Sequence, residues 1–121
     1  LFGQVRQAGV DPRITVDPMP PGEPPAAVQL AVYRILQEAL TNAIRHGDGS
    51  VDVRLSWLPD RVDIDVRNAV AEGRAPQLGQ GTGHGVVGMR ERAQLVGGSL
   101  DAERRGSEFH VHGSLPIGAP S

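Results

Sequence analysis

Residues 26–45 read AAVQLAVYRILQEALTNAIR and carry apolar side chains at helical spacing. Such a stripe is buried against a core, so the segment predicts one long amphipathic helix, which Gly47 ends. The buried face is expected to comprise Val28, Val32, Ile35, Leu36, Ala39 and Ala43. A second face is polar and continuous, because its members lie one to four residues apart. These residues are Arg34, Glu38, Thr41, Asn42 and Arg45.

The segments around this helix alternate apolar and polar residues and predict strands. Residues 51–57 and 62–67 form an antiparallel hairpin with one wet face. The other expected elements are a strand at 13–17, a helix at 86–96 ended by Gly97-Gly98, and a hairpin of 99–103 with 107–115 that turns at Arg105-Gly106. This order predicts an α/β (α+β) two-layer sandwich, in which helices cover one face of a mixed, mainly antiparallel sheet.

The length fits one domain, for which we expect residues 13–116. Residues 1–12 would end a preceding helix or linker, and residues 117–121 would form a flexible tail. A loop is expected from Ala69 to Thr82, because that stretch has no periodicity and is rich in Gly, Ala and Pro. A loop that long inside a compact domain is usually functional or mobile.

Composition excludes several classes of function. The chain has 12 basic residues, all of them Arg, 14 acidic residues, a net charge of −2 and no cysteine. The lack of Lys rules out a P-loop lysine and Schiff-base chemistry, and the lack of Cys rules out thiolate chemistry. Only four residues are aromatic, which together with the charge argues against nucleic-acid binding. There is no signal-peptide pattern and no apolar run long enough to span a membrane, so no membrane contact is expected.

The segment Gly79 to Gly88 contains five glycines in ten residues and leads into a helix. Glycines there let backbone N–H groups and the positive helix end approach an anion, of which phosphate is the obvious candidate. The alternative is a flexible hinge that needs glycine only for its turns. The spacing Gly83-x-Gly85-x-x-Gly88 also matches a dinucleotide fingerprint, but no buried strand precedes it and too few residues follow for that fold.

The polar face of the long helix becomes a candidate binding site when it is combined with a phosphate-binding segment. The amide oxygen of Asn42 suits a hard cation such as Mg²⁺, and Arg45 can meet phosphate charge as a planar fork. Taken alone, the stripe would be a solvated helix face.

Two motifs resemble the ATP-binding catalytic domain of bacterial two-component sensor histidine kinases, within the gyrase, Hsp90, kinase and MutL (Bergerat) ATPase fold. Glu38-Ala-Leu-Thr-Asn42-Ala-Ile-Arg45-His46 resembles its N box, and Gly81-Thr-Gly-His-Gly-Val-Val-Gly-Met-Arg-Glu-Arg92 its second glycine box. The latter is similar to the subclass that signals to NarL-type response regulators. Gly106-Ser-Glu-Phe109 is similar to the closing hairpin.

The resemblance implies a role for each matching residue. Asn42 would ligate the Mg²⁺ that bridges the phosphates, and Glu38 would orient or polarise water at the metal. Arg45 and His46 would contact phosphates, and Ser107 would approach the adenine pocket. The phosphate chain of ATP would be wrapped by Gly81, Thr82, Gly83, His84, Gly85 and Val86.

One motif departs from the family, in which an Asp followed by glycines accepts a hydrogen bond from the adenine amino group. Asn68-Ala-Val70 stands there. Asn68 still accepts through its amide oxygen but loses charge assistance, and Val70 replaces a glycine with a stiff side chain. The sequence therefore predicts weakened ATP affinity.

The resemblance implies a cytoplasmic kinase domain that donates the γ-phosphate of Mg-ATP to a histidine on a separate dimerisation domain, which passes it to a NarL-type response regulator. Two alternatives stay open: an anti-sigma-type serine kinase of the same fold, and a pseudo-kinase whose adenine pocket has decayed. His110 and His112 are expected to be solvated, Arg90-Glu91-Arg92 to be the exposed side of its helix, and Arg104-Arg105 to form a turn.

Overall fold

The computed structural model describes residues 11–16, 24–70 and 82–117. Two helices and five strands follow one another in the order predicted from the sequence. The elements are β1 (Asp11–Val16), α1 (Ala26–His46), β2 (Gly47–Trp57), β3 (Arg61–Val70), α2 (Thr82–Leu95), β4 (Ser99–Arg105) and β5 (Glu108–Pro116). No helix among these residues is long and apolar enough to cross a lipid bilayer.

The sheet is mixed and has the strand order β1-β2-β3-β5-β4. Among the described strands, β1 and β2 pair in parallel and the other neighbours pair antiparallel. Both helices pack on the same sheet and against each other. The predicted two-layer α/β architecture is confirmed.

Helix α1 begins directly after Pro24 and Pro25, whose backbone carbonyls accept hydrogen bonds from its first turn. The carbonyl of Pro25 accepts from the N–H groups of Val28 and Gln29 at 3.0 and 3.1 Å, and the Gln29 side chain donates to the Pro24 carbonyl at 2.8 Å. Prolines suit this position because the first helical turn needs no backbone donors from them. All six apolar residues predicted for the buried face of α1 are buried.

The core lies between the helices and one face of the sheet. The inner face of β3 carries Val62, Ile64 and Val66, each at most 1% exposed. Helix α2 adds Met89 and Ala93, both fully buried. Each large side chain of this kind stabilises the fold by about 1.5–3 kcal/mol through removal of apolar surface from water.

Helix α2 ends in a Schellman motif. The N–H of Gly98 donates to the carbonyl of Ala93 at 2.8 Å, and the N–H of Gly97 donates to that of Gln94 at 2.9 Å. Gly97 has a φ of 82°, which favours glycine. Gly98 has no room for a side chain, because a Cβ would overlap the backbone carbonyl of Ser114 and lie 2.6 Å from a methyl carbon of Leu115.

Several predicted boundaries were wrong. Ala69 and Val70 belong to β3, and Thr82 belongs to α2, whose first four residues are 82–85. The loop predicted from Ala69 to Thr82 is therefore wrong at both ends. Residues 71–81 lie outside the described residues. Pairing with β2 and β5 holds the end of β3 in the sheet despite its weak alternation. Arg104 and Arg105 lie in β4, because the turn is formed by Gly106, with a φ of 60°, and Ser107.

The outer face of the sheet is polar, and His110 on it is buried rather than solvated as predicted. Its side chain is 9% exposed, and its Nε2 lies 3.2 Å from the carboxylate of Asp65. Arg67 contacts the same carboxylate at 3.2 Å, and the His112 ring centroid lies 5.1 Å from that of His110. Neighbouring strands thus cover a residue that alternation alone assigns to water.

Candidate functional site

Asn42 is the most informative polar residue of α1. It is 4% exposed, and its Nδ2 has no hydrogen-bond partner within the described part of the chain. A buried amide group left without a partner costs about 1–3 kcal/mol. The helix places it at the border of the apolar stripe, so that packing buries the amide although nothing described satisfies its nitrogen. The amide nitrogen therefore has a hydrogen-bond donor that no described residue uses.

The other predicted residues of the polar face surround Asn42 on the same helix. Glu38 lies one turn earlier and is half-buried, and Arg45 lies one turn later and is exposed. The spacing of four and three residues places their side chains on one face. The hydroxyl of Thr41 donates to the carbonyl of Gln37 at 2.8 Å, so Thr41 is turned back onto its own helix. The side chain of His46 lies outside the described residues.

The N-terminus of α2 is built from the glycine-rich segment. The helix begins at Thr82, so residues 82–85 supply its first turn, whose N–H groups have no acceptor within the helix. That turn carries no acidic side chain, which leaves the positive helix end without a neutralising carboxylate of its own. Val86 is half-buried and packs against the core.

Some residues predicted for this cradle are not described. Gly81 lies outside the described residues, and so do the side chains of Thr82 and His84. Gly83 and Gly85 are described by their helical backbone alone.

Asn68 lies inside β3. The sequence-based prediction, that the strand ends at Arg67 and Asn68 follows it, is wrong. It is 4% exposed and paired with Val51 on one side and Phe109 on the other. Its Nδ2 donates to the carbonyl of Ala69 at 3.3 Å. This bond uses one of the two hydrogens of the amide nitrogen. Val70 closes β3 opposite Gly47 instead of following the strand.

The strand register brings these segments to one end of the sheet. The last residue of β3, Val70, is opposite Gly47, which directly follows α1, and Ala69 is opposite Glu108. The C-terminal end of α1, the end of β3 and the exposed turn at Ser107 therefore share one end. Helix α2 packs on β4 and joins it through a short turn at the opposite end, so its N-terminus is directed to the same end. The sequence positions that are predicted to bind nucleotide thus converge, although they are far apart in the chain.

The outer face of the sheet offers a different kind of surface. An open groove of about 370 Å³ is lined by Arg54, Ser56, Asp65, His112 and neighbouring residues, none of which the sequence assigned to the site. Within the described ranges no three His, Asp or Glu side chains are grouped so that they could hold a metal ion. The groove lies on the face away from Asn42 and Asn68, and we assign it no role.

Arg92 is a residue for which the sequence-based interpretation was incomplete. It was placed on the exposed side of α2, but it is half-buried and its guanidinium lies against Gly88. The spacing of four residues between Gly88 and Arg92 is the signal that could have indicated this contact.

Comparison with known families gives one match that covers most of the domain. Residues 27–117 match the family described as histidine kinase-, DNA gyrase B-, and HSP90-like ATPase. The chain is similar to the methanol utilization control sensor protein MoxY of Paracoccus denitrificans, with 35% identity over 89 residues, 69% of this chain and 20% of that protein. It is also similar to the oxygen sensor histidine kinase NreB of Staphylococcus carnosus, with 32% identity over 77 residues, 63% of this chain and 22% of that protein. The matched region is about a fifth of the length of each relative.

Solved structures support the fold. The histidine kinase AdeS of Acinetobacter baumannii matches 97% of this chain and 59% of its own with a TM-score of 0.69 at 14% identity. A nucleotide-free catalytic domain of the histidine kinase ThkA matches 95% of this chain and 85% of its own, with a TM-score of 0.67 at 16% identity. At such identities the likeness concerns the backbone architecture alone.

Proposed function

The chain belongs to the family of histidine kinase-, DNA gyrase B- and HSP90-like ATPases, and we propose that it is the ATP-binding catalytic part of a two-component sensor histidine kinase. The observation that carries the proposal is the buried amide of Asn42, unpartnered within the described residues, at the end of the sheet where the other candidate residues converge. The similarity to MoxY and NreB, whose names describe sensor proteins, supports the kinase class.

The donor set at α1 fits a magnesium nucleotide. Asn42 offers an amide that can turn its oxygen to a hard cation, and the half-buried carboxylate of Glu38 lies one turn away on the same face. Magnesium would be held by Asn42, and it would supply charge neutralisation between the phosphate groups. Glu38 would orient a metal-bound water rather than bind the ion in place of Asn42.

The phosphates would be bound by two kinds of donors. Arg45 projects from the last turn of α1 and is exposed, so its guanidinium can reach a phosphate from the solvent side, together with His46. Backbone N–H groups from Gly81 to Val86 would donate to the phosphate oxygens, and the first turn of α2 has no acidic residue to compete with them. His84 lies in the same glycine-rich motif and belongs to the residues predicted to bind nucleotide.

The base would lie against the end of β3. The side-chain oxygen of Asn68 would accept a hydrogen bond from the amino group of adenine, while its nitrogen donates to the Ala69 carbonyl. Ser107 lies in the turn at the same end of the sheet. An amide acceptor is weaker than a carboxylate, so we expect lower ATP affinity than an Asp at this position would give.

The reaction would be transfer of the γ-phosphate to a ring nitrogen of histidine on a separate dimerisation domain, and from there to an aspartate of a NarL-type response regulator. Positioning and charge neutralisation are most of what phosphoryl transfer needs from a protein. We propose a cytoplasmic location for this domain. The serine-kinase and pseudo-kinase alternatives are not favoured, the first because the relatives are sensor proteins and the second because Asn42 keeps an unfavourable buried amide.

Calorimetric titration of the domain with ATP and ADP tests the proposal, with and without Mg²⁺, and with GTP and NAD as controls. We expect saturable binding of adenine nucleotides that weakens without Mg²⁺ and in Asn42→Ala. Absence of binding up to about millimolar nucleotide, a free energy weaker than about −4 kcal/mol, would refute a functional ATP site. A dimerisation domain from a related kinase, added in trans, would then test phosphoryl transfer to histidine.

A further inference from the structure

Gly88 and Arg92 form a contact on one face of α2. A Cβ at Gly88 would lie 2.7 Å from Nη1 and 3.9 Å from Cζ of Arg92. The guanidinium therefore occupies the space that the missing side chain leaves. Helical side chains lean towards the N-terminus of their helix, so Arg92 directs its charge back along α2 towards the glycine-rich first turn.

No carboxylate described in the structure pairs with the charge of Arg92. Within residues 11–16, 24–70 and 82–117, Arg92 has no ion pair and no hydrogen-bond acceptor. Arg90, two residues earlier, differs: it faces water and lies 3.8 Å from the carboxylate of Asp101. A half-buried guanidinium has lost part of its hydration. An anion bound beside the guanidinium would replace that lost hydration.

We infer that Arg92 is a phosphate-binding residue of the candidate site, with Gly88 as the residue that leaves room for its guanidinium. This inference rests on the proposed nucleotide site and adds to it a cation from α2, besides Arg45 from α1. The planar guanidinium can donate two parallel hydrogen bonds to one phosphate group, which an ammonium group cannot do. The ligand class is the di- or triphosphate chain of a nucleotide, and the base plays no part in this contact.

Calorimetric titrations with Mg-ATP, Mg-ADP and adenosine distinguish this role from a structural one. Arg92→Gln should weaken Mg-ATP and Mg-ADP about tenfold, the factor expected for loss of one charge-assisted contact, and leave adenosine unchanged. Arg92→Lys should recover part of the loss, since it keeps the charge but not the fork. The matched control is Arg90→Gln, which removes the same charge from the same helix and should change affinity by less than roughly twofold.

Gly88→Ala tests the contact without removing the charge. The added Cβ meets only the far end of a flexible side chain, so the helix should still fold, since Ala has a higher helix propensity than Gly. Displacement of the guanidinium should nevertheless weaken Mg-ATP severalfold. In the double variant with Arg92→Gln the second change should add little, because both remove one contact.

Three outcomes separate the possibilities. Affinities of Arg92→Gln and Gly88→Ala that match the unaltered chain, with only the melting temperature changed, would show that Arg92 has a structural role and would overturn the inference. Equal losses for Arg92→Gln and Arg90→Gln would indicate a general charge effect and would also overturn it. If the unaltered chain binds no adenine nucleotide, the proposed nucleotide site fails and this inference fails with it.

Discussion

Asn42→Ala should stabilise the nucleotide-free domain and abolish its response to Mg-ATP. The buried Nδ2 is unpartnered among the described residues, which costs about 1–3 kcal/mol that truncation recovers. Alanine adds about 0.5 kcal/mol of stability through its higher helix propensity. Loss of the packing contacts of the amide costs roughly 1 kcal/mol. The net gain is about 0.5–2.5 kcal/mol, or a rise of about 2–10 °C in melting temperature.

Thermal unfolding followed by circular dichroism, with and without Mg-ATP, measures both effects. At a hundred times its Kd, nucleotide should stabilise the unaltered domain by about 2.7 kcal/mol and the variant hardly at all, so the order of stability should invert. Thr41→Ala is the matched control: it gains similar helix propensity at the neighbouring position but removes a hydroxyl whose bond is to its own helix.

Two results would refute the reasoning. If Asn42→Ala lowers the stability of the nucleotide-free domain by more than about 1 kcal/mol, the amide makes a structural hydrogen bond and is not held for a ligand. If Mg-ATP stabilises the variant as much as the unaltered domain, Asn42 does not bind the magnesium nucleotide. A gain equal to that of Thr41→Ala would assign the stabilisation to helix propensity alone.

Three further changes test the base pocket and the fold. Asn68→Asp should tighten ATP binding roughly fivefold or more, since it restores a charge-assisted acceptor, and an unchanged calorimetric Kd would contradict the placement of this residue at adenine. Gly98→Ala should lower the free energy of unfolding in chemical denaturation by about 2–3 kcal/mol, because its Cβ would overlap the backbone of β5. Gly106→Ala is the control: it has open space around it and should cost only about 1 kcal/mol, from strain in the turn. Met89→Ala should lower the free energy of unfolding by about 2–5 kcal/mol, because the side chain is fully buried. Leu95→Ala, at a position that is 84% exposed, should change it by less than about 0.5 kcal/mol. Equal effects would mean that α2 is not packed as described.

Local periodicity explains why the element types were predictable. Each apolar residue predicted for the buried face of α1 is buried, because that stripe is set by neighbours three and four residues apart. The strands of the central hairpin were equally clear, since alternation has a period of two residues. Their ends were not, because the last residues of β3 are held by pairing with β2 and β5 and not by their own pattern.

Sequence motifs could single out candidate site residues, but they could not show where in the fold these residues lie relative to one another. Motif spacing singled out Asn42 and the glycine-rich segment, and no local pattern states that the end of β3 and the turn at Ser107 meet the C-terminal end of α1. That follows from the strand register, in which Gly47 is opposite Val70 and Ala69 is opposite Glu108.

The amino-acid sequence by itself determined the helices and strands, the residues of the buried stripe and the family resemblance, because all of these depend on neighbours within a few positions. Only the tertiary structure decided which polar groups lose water: Asn42 with an unpartnered amide among the described residues, His110 covered by strands whose contact spans 45 residues, and Arg92 folded onto Gly88. Burial and charge pairing depend on what packs alongside, and packing partners far apart in the chain leave no periodic trace in the sequence.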